Sequence, residues 1–142
     1  MRTPLLLTVA MVTAMTGCSS TPVDGKTDLS RYMYVRGVFT GWDALDEFQL
    51  QPLGDDRFGA EAKLEADGKP YYFKFADAGW VDGSNCGPAA GPDNEVVTLD
   101  NSVTANCSEP RRSFKFTPAV SGRYRFVIDN GGPEPKVSVE AL

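Results

Sequence analysis

Period-two alternation of apolar and polar residues constrains this chain more than any other feature. Met33 and Val35 alternate with Tyr32, Tyr34 and Arg36. Phe48 and Leu50 oppose Glu47, Gln49 and Gln51, and Phe58, Ala60, Ala62 and Leu64 oppose Glu61, Lys63 and Glu65. Tyr71, Phe73 and Phe75 oppose Tyr72 and Lys74; Phe114 and Phe116 oppose Ser113, Lys115 and Thr117. Tyr124, Phe126 and Ile128 face away from Arg123 and Arg125, and Val137 and Val139 from Lys136, Ser138 and Glu140. Each run is a half-buried strand by this pattern. Gly54-Asp55-Asp56, Asp67-Gly68-Lys69-Pro70, Ser121-Gly122 and Asn130-Gly131-Gly132-Pro133 supply the turns. Val96 and Val97, continuing toward Leu99, predict one more strand, and Val81 to Asn94 the longest loop. No window carries helical periodicity. Seven or eight short antiparallel strands, each with one apolar face, predict an all-β, immunoglobulin-like two-sheet β-sandwich over residues 31–142.

The N-terminal stretch stands outside that pattern. Arg2 precedes an apolar run from Leu5 to Val12, and Met15-Thr16-Gly17-Cys18 follows. A charged start, a short apolar region and small residues before a break are the signs of a signal peptide. The run is too short for a comfortable membrane span. Met15-Thr16-Gly17-Cys18 resembles the bacterial lipobox, with Met15 where Leu is usual. The resemblance implies cleavage after residue 17, lipidation of Cys18 and, with Ser19 rather than Asp next, an outer-membrane lipoprotein. The alternative is an ordinary signal peptide and a soluble periplasmic or secreted protein. Residues 18–30, small and polar with Pro22 and Gly25, then form a lipidated tether.

Cysteine and charge counts narrow the function. There are three Cys. With Cys18 acylated, Cys86 and Cys107 are left as a pair in an oxidising compartment. A bridge between them closes a loop of about 21 residues and contributes roughly 3 kcal/mol. The net charge of −5 argues against nucleic acid and against electrostatic binding to anionic lipid. No His is present, so no Ser-His-Asp or Cys-His arrangement exists, and two Cys alone complete no zinc site. Asp55-Asp56 and Asp93-Asn94-Glu95 lack EF-hand spacing and read as turn residues. No cofactor is expected. A carboxylate pair for glycoside hydrolysis stays open at this level.

Two segments carry candidate function. Tyr34-Val35-Arg36-Gly37-Val38-Phe39-Thr40-Gly41-Trp42 runs from a strand into a turn. So does Tyr72-Phe73-Lys74-Phe75, followed by Ala76-Asp77-Ala78-Gly79-Trp80. They hold the only two Trp of the chain. In order and at this spacing they resemble the glycogen- and starch-binding modules of pullulanases, branching enzymes and the AMP-activated kinase beta subunit. Gly122 to Asp129 resembles the closing strand of those modules, and Thr40 stands where Asn is common. The resemblance implies a non-catalytic module of early-set immunoglobulin type that binds α-glucan or maltooligosaccharide. Trp42 and Trp80 fall where the modules stack glucose rings, and Lys74 where they bond a sugar hydroxyl. Asn101 is the positional candidate for a later polar contact, with Asn106 beside it. A separate amylase or pullulanase is the implied partner.

The physics is compatible. A flat apolar indole packs against the C–H face of a hexose. Alternation turns Lys74 away from Phe73 and Phe75, and its ammonium offers three donors. Tyr32, Tyr34 and Tyr72 are candidates to extend the aromatic surface. The competing expectation is an envelope lipoprotein whose sandwich is a protein-interaction or structural scaffold, with both Trp in the core and Lys74 an ordinary solvated lysine. Exposure of the two indoles separates these expectations.

Overall fold

The computed structural model describes residues 27–142. The expected signal peptide, Cys18 and all but the end of the expected tether lie outside the described residues. Nine strands follow in order: β1 Met33–Gly37, β2 Gln51–Gly54, β3 Arg57–Leu64, β4 Tyr71–Asp77, β5 Asn85–Pro88, β6 Val103–Asn106, β7 Phe114–Phe116, β8 Gly122–Asp129 and β9 Lys136–Ala141. The described residues otherwise hold turns and short 3-10 segments. The packed domain begins slightly before residue 31, because Leu29 is buried in the core.

The expected antiparallel sandwich forms, with its two faces joined. β1, β4, β5 and β7 make one half; β6, β9, β8, β3 and β2 make the other, and β5 pairs with β6 between them. On the opposite side Leu50 N donates to Met33 O at 2.9 Å, so the β2 end folds back onto β1. β4 is central to its half: β1 lies along one edge, with Arg36 opposite Lys74, while β7 and β5 share the other. The apolar faces meet inside. Phe73 and Phe126 pack edge to face across the halves at 4.7 Å, and Phe75, Phe114, Leu64, Ile128 and Val137 complete the centre. Tyr124, near the start of β8, donates its hydroxyl to Val120 O, the corner bond common in such sandwiches.

Three local expectations change. Asp46–Phe48 is a 3-10 turn rather than strand, closed by Phe48 N to Leu45 O at 2.9 Å. Phe48 still faces inward, with its ring 5.5 Å from that of Phe39. Val96-Val97 makes only a single bridge to Lys115, with Val97 buried and Val96 exposed. The long loop from Val81 to Asn94 contains β5, whose sequence Asn-Cys-Gly-Pro has no β-branched or aromatic residue to announce it. Gly87 is required there: a Cβ would lie 2.4 Å from Arg112 O. The Asp55-Asp56 turn is as expected. Both residues have positive φ, 53° and 59°, at the centre of the tight β2–β3 hairpin.

Candidate functional site

The two Trp turns are built from the end of β1 and the end of β4. Gly37 ends β1 against β4, where a Cβ would lie 2.4 Å from Tyr72 O. The chain then tightens into a 3-10 turn, Val38–Thr40, that buries Phe39 against Phe48, Tyr71 and Phe126. Thr40 closes this turn: its hydroxyl accepts from Gly37 N and donates to Gly37 O, both at 3.0 Å. Its packing inward sends the next residues outward. Gly41 adopts φ 62°, and Trp42 follows at φ 63° with its N–H on Gly37 O at 2.9 Å. After β4, Asp77 accepts Val81 N at 2.9 Å, and Trp80 sits inside that turn at φ 54°.

Both Trp thus occupy left-handed backbone, which crowds Cβ against the carbonyl and costs roughly 1–2 kcal/mol per residue. Side-chain burial does not account for this: Trp80 is 37% exposed, and Trp42 is half-buried. Non-glycine residues held this way cluster at ligand sites.

Arg36 connects the turns. It is only 5% exposed and has no ion pair among the described residues. Its Nε donates to Trp42 O at 2.8 Å, with Nη2 on the same oxygen. Its Nη1 donates to Asp77 O at 2.7 Å and to Ala78 O at 3.2 Å. The guanidinium carbon lies 3.5 Å from the centroid of the Trp80 ring and covers one indole face. Burial pushes the Arg36 pKa down, while the charges of Asp43 and Asp77 oppose that shift. One side chain therefore orders two turns 38 residues apart in sequence (42 and 80). The sequence contained Arg36 inside its first motif, but nothing distinguished it from any other polar strand residue.

Trp42, Trp80 and Lys74 line one open cavity of about 430 Å³, with Asn85, Pro110, Arg111 and Ser113. Lys74 is on the expected face but not solvated. It is 4% exposed, with Nζ donating to Glu109 O and lying 5.9 Å from the Trp80 ring. Desolvation lowers its pKa, and Glu109 opposes the shift. Alternation gave the right face; the segment after β6, folded over that face, could not be read from it.

That segment is one wall. Cys86 and Cys107 form the expected disulfide, and Cys107 O accepts from Gly83 N at 3.0 Å and Asn85 N at 3.1 Å. The Glu109 carboxylate folds the turn by accepting Arg111 N and Arg112 N, both at 2.9 Å. Those two backbone donors hold its pKa below the ordinary carboxylate value. Asn85 is buried at the foot of the wall, and its Oδ1 has no hydrogen-bond partner.

Asn101 is not brought to this cavity. Its Oδ1 accepts Thr98 N at 2.8 Å and its Nδ2 donates to Val96 O at 3.2 Å, so its amide folds another loop. Asn106 likewise serves its own turn by accepting Ser108 N at 2.9 Å. Besides Lys74, the buried polar residue at the cavity is Asn85, which lay in the predicted loop. Tyr72, exposed on the same outer face of β4, lines a separate cavity with Val38 and Pro70. Among the described residues no group of three or more His, Cys, Asp or Glu is placed to hold a metal ion.

No family model and no curated protein matches the sequence. Among solved structures, the ligand-induced structure of AmyP-SBD, a starch-binding domain, is similar to this chain with a TM-score of 0.57. The alignment covers 98% of this chain and 95% of that one, at 16% identity. The likeness establishes the β-sandwich fold.

Proposed function

We propose that the protein binds α-glucan (starch, glycogen or maltooligosaccharide) without catalysis, as a lipoprotein anchored through Cys18 in the outer membrane. The observation that carries this reading is the placement of both Trp on one cavity. They stand in strained turns held by Arg36, beside a cationic donor at Lys74. A protein-interaction scaffold with both Trp in its core would leave Trp80 covered, whereas it is exposed. The fold likeness to a starch-binding domain supports the same ligand class. Two stacking surfaces and a few hydrogen bonds give roughly −4 to −7 kcal/mol, a Kd from millimolar to about ten micromolar. Many anchored copies raise avidity on a polymer, which suits delivery of glucan to a separate amylase or pullulanase.

Affinity electrophoresis tests the proposal. The wild type is expected to be retarded in native gels containing glycogen or soluble starch. Trp42→Ala and Trp80→Ala, checked for folding by circular dichroism, are expected to migrate as in plain gels. Equal mobility of the wild type with and without either polymer refutes the proposal.

A further inference from the structure

We propose that Asn85 reads a hydroxyl of the bound sugar and that the site continues past Trp80 into a second lobe beside it. This rests on the α-glucan reading above. Asn85 opens β5 opposite Ala76, on the same outer face as Lys74 and one pleat, roughly 7 Å, further along β4. Its backbone is fixed at both ends, with N on Cys107 O at 3.1 Å and O accepting Glu109 N at 3.3 Å. The residue is 6% exposed and lines the cavity, but its Oδ1 is closed to solvent as the side chain stands and no protein donor reaches it, so the amide must turn toward the cavity to meet a ligand. Buried acceptors in folded proteins almost always have a partner, and those open to Asn85 are an ordered water and a ligand hydroxyl.

The surroundings indicate which donor. The cavity holding Trp42 and Lys74 and a neighbouring one of about 240 Å³ share Trp80, Asn85 and Pro110. The second cavity adds the polar side chains of Asp82 and Ser108. Asn85 therefore lines both lobes, as Trp80 does. A sugar hydroxyl both donates and accepts. The Lys74 ammonium supplies only donors and the Asn85 carbonyl only an acceptor, so together they fit hydroxyls used in opposite senses. A glucosyl unit on Trp80 would bring a hydroxyl donor to the side-chain acceptor that, alone among the buried ones of the described residues, lacks a partner.

The test pairs Asn85→Leu with monodeoxy maltotrioses in calorimetric titration. Asn85→Leu removes an unpartnered acceptor at similar volume, so its melting temperature should equal or exceed that of the wild type. Its affinity for maltotriose should fall roughly 3- to 10-fold. One monodeoxy analogue should lose the same factor against the wild type and nothing further against Asn85→Leu. Asn85→Asp, which keeps an acceptor at that position, should still discriminate against that analogue. Independent losses for every analogue, or an unchanged affinity of Asn85→Leu, overturn the assignment while leaving glucan binding intact. A lowered melting temperature with unchanged affinity identifies the partner as a structural water and also overturns it. A wild type that binds no maltotriose, maltoheptaose or glycogen removes the underlying reading and this subsite with it.

Discussion

Replacing Arg36 by Lys keeps the charge and removes the fork. The guanidinium reaches three carbonyls on two turns, at Trp42, Asp77 and Ala78, and lies flat on Trp80. An ammonium has one nitrogen and no plane, so it can serve one turn and not both. Losing a charge-assisted bond at the abandoned turn costs about 1.5–3 kcal/mol if the carbonyl stays dry, less where water reaches it. Losing the stack on Trp80 costs about 1 kcal/mol more. A total of roughly 2–4 kcal/mol lies below the typical stability of a domain, so the variant should fold at 25 °C. Its melting temperature should drop by roughly 8–20 °C, read by circular dichroism. Binding should weaken as well, because two aromatic platforms must then be ordered by the ligand. At about 0.5–1.5 kcal/mol per immobilised side chain, the loss is roughly 5- to 100-fold. Acrylamide quenching of tryptophan emission should rise in the unliganded variant. An Arg36→Lys protein with wild-type melting, quenching and retardation on glycogen would show that Arg36 does not organise the site.

Trp42→Asn places a residue that tolerates left-handed backbone at a strained position. It should change the melting temperature by only a few degrees while abolishing retardation on starch. Lys74→Met removes a desolvated charge whose one hydrogen bond is to Glu109 O; stability should hold or rise, and affinity for maltoheptaose should fall several-fold by calorimetry. Reducing the Cys86–Cys107 bridge, or replacing both by Ser, should cost about 3 kcal/mol in chemical denaturation and weaken binding, since the bridge anchors the wall carrying Glu109 and Pro110. The Glu109 pKa is depressed in the fold, so its contribution is present above its unfolded value of about 4.3 and is lost as pH falls through the lower folded value. Glucan affinity should therefore hold above the ordinary carboxylate value and decline as pH falls through the depressed folded one, a decline that Glu109→Gln should flatten.

Strands with bulky alternating side chains were legible because their pattern is set by the core they share. Phe73, Phe75, Phe114 and Phe126 each lie at alternate positions, and each is fully buried. β5 was not legible because its residues were selected by close approach and cross-linking, through Gly87 and Cys86, rather than by packing volume. The Trp turns were visible as motifs, but their shared cavity depends on Arg36, whose partners are backbone carbonyls that leave no sequence signal. Lys74 was placed on the correct face, yet its burial depends on the Glu109 turn, a contact 35 residues away. Asn101 was positioned by analogy across a segment whose path is reset by the disulfide, and local hydrogen bonds hold it in another loop.

The most direct measurement is intrinsic tryptophan emission of the wild type titrated with maltoheptaose, because Trp42 and Trp80 are the only two Trp and both line the cavity. A saturable shift in emission, with a Kd between about ten micromolar and one millimolar, is the predicted result. Emission that stays unchanged to tens of millimolar sugar would contradict α-glucan binding at this site.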